Sequence, residues 1–506
     1  MNEFLANLAA INDKINSFVW VTIGLVLLIG TGVLMTVLTK CFQVSHFAHW
    51  WKSTIGRVFA KDSDVHDKSD AKNISQFQSL CTALAATVGV GNIAGVATAI
   101  VSGGAGAIFW MWVAAFFGMM TNYSENVLGI YYRRKNVQGE WCGGAMYYLR
   151  DGLGAKKGCK HIGNVLAILF SIFCVLASFG IGNLSQVNTI TVNMHSAFGI
   201  PHWLVGVLVM GLVGIVVIGG LKRIASVTEK IVPFMVVLYI IGALVIFCTH
   251  ITKVGAIFST IFRHAFGIKA VAGGFAGVTV KTVVTWGFKR GVFSNEAGLG
   301  SSVMVHSCSN AKEPVHQGMW GIFEVFADTI IVCTLTAVAI LASGVVDLQT
   351  GQVLATSAAG VPLEQTALVG AAFASSFGAF GQYFIAIAVL LFAFSTVLGW
   401  SVYGSKAWEY LFGTKSTIGY KVFFVCVIIA GALLKSSLAW DISDTFNGLM
   451  MIPNLIGVLV LSPIVYRITK NYVDRKLKHK KEEPILSAFP DIQKEHAAAI
   501  AAGDEE

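Results

Sequence analysis

Charge is what this chain has least of. Only 12% of its 506 residues are Asp, Glu, Lys or Arg and 55% are apolar, whereas soluble domains carry about 25% charge. Burying that much apolar surface in one water-soluble core would also strain the usual size limit of roughly 250–300 residues, beyond which chains split into domains. A bilayer removes that conflict. From His161 to Leu221 there is no Asp, Glu, Lys or Arg, a run long enough for two spans of about 20 residues each. Paired cysteines are missing too. The nine cysteines stand singly, several inside apolar runs (Cys81, Cys174, Cys248, Cys333, Cys426), which argues against a disulfide framework. Neither Cys142, Cys159 and His161 nor His46 with His49 has a regular metal-ligand spacing, so no cofactor is expected. The first span follows Glu3, Asp13 and Lys14 instead of the basic start of a signal peptide, and is expected to stay in the mature protein. The chain lacks a nucleotide-binding glycine loop and a convincing nucleophile-and-base set, which disfavours an enzyme. It also lacks a filter-like repeat, which disfavours a channel.

What is present is a series of apolar runs between charged or Pro/Gly-rich breaks. They predict an all-α polytopic membrane protein with eleven spans, near residues 17–39, 75–101, 106–132, 163–195, 201–220, 229–250, 273–306, 316–343, 375–405, 419–434 and 445–466. The net charge of +9 could suggest nucleic acid, but most of the 36 Lys and Arg fall in alternate loops, in clusters such as Arg133-Arg134-Lys135, Lys222-Arg223 and Arg475-Lys476. That is the positive-inside pattern. It places the amino terminus outside and the carboxyl terminus inside, and no nucleic-acid partner is implied. Gly139 to Gly154 (GEWCGGAMYYLRDGLG) is too short to span and reads as an interfacial element on the inner face. Residues 467–506 turn polar and read as a solvated cytoplasmic tail.

Without the extra amino-terminal span (1–40), ten spans divide into five (75–250) and five (273–466). An odd number per half forces inverted topology, the plan of secondary transporters whose site lies at interrupted helices. The first helix of the first half contains Thr87-Val88-Gly89-Val90-Gly91-Asn92-Ile93-Ala94-Gly95, and each interior glycine costs roughly 1 kcal/mol of helix propensity. The first helix of the second half contains Gly291-Val292-Phe293-Ser294-Asn295-Glu296-Ala297-Gly298-Leu299-Gly300. Unwinding there would aim free N–H groups and carbonyls at one cavity, where a zwitterion and a cation both fit. Ser294 or Asn295 could cap the new half-helix, with Glu296 in its first turn favoured by the dipole. The alternative is that Gly89, Gly91, Gly95, Gly298 and Gly300 only let helices approach closely; their recurrence at matching positions of the two halves favours the break. Glu324 and Asp328 share a helix face and are expected to meet Lys289 or Arg290, while Glu125 reads as a structural charge near the inner side.

At these residues the sequence resembles the alanine/glycine:cation symporters, through TVGVGNIAGVATAI (87–100), GGAGAIFWMW (103–112), GGAMYYL (143–149), GVFSNEAGLGS (291–301) and QGMWGIFEVFADTIIVCTLTA (317–337). The resemblance implies a LeuT-type fold of two inverted five-helix repeats. It also implies sodium-coupled uptake of small neutral amino acids, alanine or glycine, through a prokaryotic inner membrane, with a monomer sufficient. Proton coupling is the alternative. By the same resemblance Thr87, Gly89, Gly91 and Asn92 would hold the substrate carboxylate, Gln186 would hydrogen-bond the substrate, and Phe293 with Trp400 would cap its methyl group. Sodium would take Val88 with Ser395 and Thr396, and a second sodium site Asn92. Gln186 could instead join helices, Trp400 could belong to an interfacial belt, and Ser395 and Thr396 could bond their own backbone. Val90 stands where a hydroxyl residue is expected in many relatives, which leaves cation stoichiometry open.

Overall fold

In a computed structural model, which describes residues 2–60, 64–68, 70, 72–267, 279–348, 350–357, 359–434 and 438–502, the chain is almost wholly helical. The one regular sheet among the described residues is a hairpin pairing Arg134–Lys135 with Trp141–Cys142. Seven described helices are long and apolar enough to cross a bilayer: Ala9–Leu38, Lys160–Phe198, Gly220–Thr249, Pro314–Ala342, Phe380–Phe412, Thr414–Leu433 and Asp441–Leu477. The bent pair Gln76–Thr87 and Gly91–Gly103 makes an eighth if it is one span.

The other three expected spans fall short of that measure for physical reasons. Gly106–Tyr131 is a continuous 26-residue helix, but Thr121, Asn122, Ser124, Glu125 and Asn126 in its second half are buried against protein, so its polarity is satisfied internally. His202–Ile218 is apolar but has only 17 residues. The stretch expected at 273–306 is a 16-residue helix Val280–Asn295, an irregular turn and a single helical turn Val303–His306; residues 273–278 lie outside the described residues.

Position in the molecule follows from which faces are apolar. Gly220–Thr249 turns Phe234, Val237 and Ile241 outward, as a lipid-facing helix does, with its backbone groups satisfied within the helix. Phe380–Phe412 is the most enclosed span, with 78% of its most apolar window buried against 33% for Gly220–Thr249, and so forms the axis of the bundle. Small residues let it sit there: a Cβ on Gly399 would come within 2.7 Å of the Ala86 Cβ, so the two backbones touch.

Two expectations for the inner face are corrected. The segment 139–154 does not lie on a surface: Trp141, Cys142, Ala145, Met146, Tyr148 and Leu149 are all buried. Its Gly143-Gly144 pair makes this possible by passing directly against Ser307 and Met304. The tail is not merely solvated either. It ends in a helix, Pro490–Ala501, docked through buried Leu486, Ile492 and His496. Gln493 Oε1 accepts the N–H groups of Leu486 and Ser487 at 2.8 and 2.9 Å, Arg134 lies 3.9 Å over the Phe489 ring, and His496 packs edge-on against Trp141 at 5.6 Å. Trp141 in turn stacks 4.0 Å from Arg133. The buried Arg133 guanidinium donates to the carbonyls of Ser307 at 3.3 Å, Ser309 at 2.6 Å, and Ala311.

Candidate substrate and cation site

The first break begins where Gln76–Thr87 ends. That helix opens on a capping box of Ser75 and Gln78 and stops at Val88, whose backbone (φ −78°, ψ 86°) is not helical; the chain resumes as Gly91–Gly103 at an angle of 49°. Asn92 holds the corner. Its Oδ1 accepts the Gly89 N–H at 2.8 Å, and its Nδ2 donates to Asp328 Oδ1 at 2.6 Å.

The second break follows Val280–Asn295. Glu296 takes the left-handed conformation (φ 57°) as the helix terminates, and Gly298 and Gly300 follow with φ 93° and 72°, a backbone that only glycine adopts without strain. Asn295 Oδ1 caps the N–H of Ala297 at 3.0 Å, but the next helix starts only at Val303. Glu296 is therefore at the end of one half-helix and not in the first turn of the next, contrary to expectation. The free backbone groups are satisfied from outside, as buried ones must be: Gly300 N–H donates to Glu125 Oε1 at 3.2 Å, and Asn454 Nδ2 donates to Gly298 O at 2.8 Å and to Glu125. Glu125 thus holds the backbone of the second break, directly and through Asn454.

The two breaks face each other. A Cβ on Gly91 would lie 3.3 Å from Phe293 Cδ1 and from Ser294 Cα. Between them is a cavity of about 210 Å³ lined by Thr87, Gly89, Gly91, Gln186, Phe293, Trp400 and Thr396, with Ala86, Val90, Ile181 and Glu296 completing the wall. Six of the seven residues named for substrate thus share one cavity. The seventh, Asn92, is fully buried behind the wall with Asp328. Gln186 Nε2 is tied to Ile181 O at 3.0 Å, while its Oε1 is buried and without a partner, an acceptor open to a ligand's N–H. Trp400 is buried, so it does not belong to an interfacial belt.

The residues named for sodium divide differently. Thr396 lies on the cavity wall and would meet any Cβ on Gly89, yet its Oγ1 donates to Phe392 O at 2.9 Å. Ser395 also bonds its own helix, at Phe392 O, and turns to Met235 Sδ at 3.3 Å. Val88 lines a separate apolar cavity of about 950 Å³ with Leu84, Val236 and Phe323. Around Asn92 the oxygen set is richer than expected. Asp328 Oδ2 accepts from Thr329 Oγ1 at 2.7 Å, Ser294 also reaches this carboxylate, and Asn295 Nδ2 donates to Thr329 Oγ1 at 3.0 Å. Among the described residues Asp328 meets no lysine or arginine, and its partners are Asn92, Thr329 and Ser294 in place of the expected ion pair. Lys289 pairs with Asp444 at 2.5 Å, and Glu324 pairs with His306 at 3.0 Å. What pointed to Asp328 in the sequence was its cost in hydrocarbon; the partner was wrong because Asn92, not a cation, faces it.

Residues 5–487 match the model of the sodium:alanine symporter family. The chain belongs to that family. It is 43% identical over 464 residues to the sodium/alanine symporter AgcS of Methanococcus maripaludis, covering 91% of this chain and 96% of the relative. Among solved structures, MhsT in complex with L-phenylalanine superposes with a TM-score of 0.50 at 14% identity, covering 79% of this chain and 99% of that one. A manganese transporter of Eremococcus coleocola does so at 0.50 and 10%, covering 84% and 83%. The fold of this family member is therefore all-α and related to the LeuT type, and the chain is a transporter rather than an enzyme.

Proposed function

We propose that this protein is a sodium-coupled symporter of small neutral amino acids such as alanine, working by alternating access. The observation that carries the reading is the cavity of about 210 Å³ held between two interrupted helices. Thr87, Gln186 and Thr396 beside Phe293 and Trp400 give it a mixed polar and apolar wall, which suits a zwitterion with a short side chain. Half-helix ends supply N–H groups for a carboxylate, and Gln186 Oε1 is open to an ammonium group. Sodium goes to the hard oxygens of Asp328, Ser294 and Thr329, next to the substrate carboxylate, with the Asn92 amide holding Asp328 in place; Thr396 is the candidate for a second ion. The relative's printed name, a sodium/alanine symporter, agrees with this choice.

The same reading counts the broken helix, Gly106–Tyr131, His202–Ile218 and the second broken helix as spans, giving eleven in two inverted repeats, 75–250 and 273–466, after an extra first span. The amino terminus then lies outside and the tail inside. The docking of the tail against Arg134, Lys135 and Trp141 supports the second point, since Lys135 pairs with Glu495 at 2.8 Å and both segments must share a face. The transporting unit in this reading is the monomer.

The test is radiolabelled alanine uptake into proteoliposomes. An inward sodium gradient is expected to drive accumulation above the external concentration. Uptake driven only by a pH gradient would assign the coupling to protons, and flux that never concentrates the solute would assign a channel.

A further inference from the structure

Trp400 presses on the cavity from the axial helix, and what holds it is unusual. On one side it meets a position without a side chain: a Cβ on Gly182 would fall within 2.6 Å of Trp400 Cγ and 3.0 Å of Cδ2, so there the indole is seated directly against backbone, while Tyr403 packs edge-on against it at 5.4 Å. In front, its Nε1–H donates to Glu296 Oε1 at 2.9 Å. The other carboxylate oxygen, Oε2, accepts from Ser301 Oγ at 2.6 Å. Glu296 is buried and sits in the left-handed region at φ 57°, where residues other than glycine are uncommon and commonly mark a functional constraint. Its carboxylate thus bridges the second break, through Ser301, to the axial helix, through Trp400.

From this juxtaposition we infer that Glu296 is the positioning residue for substrate size: by fixing the Trp400 indole it sets the wall of the cavity against which the amino-acid side chain must fit. The inference rests on the symport reading of the same cavity and adds the determinant of its selectivity. A tryptophan packed against glycine on one side can leave its position only toward the cavity or along the helix. The hydrogen bond from Nε1 removes that freedom and leaves the ring as a fixed wall. The acceptor at Glu296 is in turn fixed by the backbone turn of the break. The size limit is therefore built into the helix interruption itself.

The experiment compares wild type, Glu296→Ala, Glu296→Gln and Trp400→Phe in proteoliposomes, with purified protein checked for monodispersity, and measures KM and maximal rate for glycine, alanine, 2-aminobutyrate and valine. Wild type is expected to discriminate alanine from 2-aminobutyrate by roughly the tenfold or more that one misfitting methylene produces. Glu296→Ala is expected to lose most of that discrimination through a lower KM for the larger substrates. Glu296→Gln, whose carbonyl still accepts from Nε1 and whose amide donates to Ser301, is expected to keep it. Trp400→Phe, which has no N–H, is expected to lose it in the same way. A folded Glu296→Ala protein with the wild-type ratio overturns the inference, as does a Trp400→Phe protein with the wild-type ratio, which decides the matter if Glu296→Ala does not fold. A wild-type protein that fails to concentrate alanine would instead overturn the symport reading, so the two failures are distinguishable.

Discussion

Gln186 and Asn92 do different work although both were read from the sequence as substrate residues. Gln186 leaves an acceptor open in the cavity wall, while Asn92 spends both ends of its amide on Gly89 and Asp328. Removing either polar group from a poorly hydrated site costs about 1–3 kcal/mol, so Gln186→Ala and Asn92→Ala are each expected to lower alanine uptake by roughly tenfold or more at unchanged expression. The cause separates them: Gln186→Ala should raise the KM for alanine, and Asn92→Ala should raise the sodium concentration needed for half-maximal uptake. Asp328→Asn keeps the shape of its contacts and loses the charge. It is expected to raise half-saturating sodium by roughly tenfold, about 1.4 kcal/mol, in a titration of uptake against sodium. The sequence made the lining of the cavity legible because glycine and asparagine in mid-span are costly and need a reason. It did not disclose Glu296 as a partner of Trp400, because the two are brought together only by the turn at Gly298 to Gly300 and by the absence of a side chain at Gly182.

At the scale of the element, the two interruptions are held open by groups from other helices. Glu125 and Asn454 accept or donate to the backbone of the second break, and Gly298 has no room for a side chain, since a Cβ there would lie 2.6 Å from Leu28 Cδ2. With φ at 93°, Gly298→Ala adds steric conflict to a left-handed backbone that costs roughly 1–2 kcal/mol for an L residue. It is expected to lower the melting temperature in detergent and to reduce uptake. Gly30→Ala is the control: nothing lies within 4 Å of a Cβ there, and in a helix alanine is favoured over glycine, so no loss is expected. Sequence hydropathy found the helices but not all of their lengths. Gly106–Tyr131 hides its polar half inside the bundle, and the axial helix runs to Phe412 instead of residue 405, with the Trp408 and Phe412 rings in tilted contact at 4.4 Å beyond the apolar run.

On the scale of the molecule, the tail is the part that composition misjudged. It has no apolar run long enough for a core, yet a few residues suffice when a prepared surface receives them. Leu486 and Ile492 are buried, Phe489 lies under Arg134, and Gln493 closes the turn that leads into the last helix. Removing residues 485–506 is expected to uncover the hairpin. Cys308, whose Sγ donates to the Trp141 carbonyl at 3.3 Å, is buried behind it, so its labelling by a charged, membrane-impermeant thiol reagent applied from the tail side should accelerate in the truncated protein relative to the full chain. Equal labelling rates would show that the tail does not seal this face. Arg133 gives that seal its reach. The carbonyls it grips lie just past the second break, in the stretch that leads into Pro314–Val325, and the tryptophan stacked on it is the one on which the tail helix rests. The tail helix, the hairpin tryptophan, the arginine and those carbonyls thus form one continuous set of contacts. A load placed on the docked helix Pro490–Ala501 is therefore felt, through two aromatic rings and one guanidinium, at backbone that adjoins the second interruption.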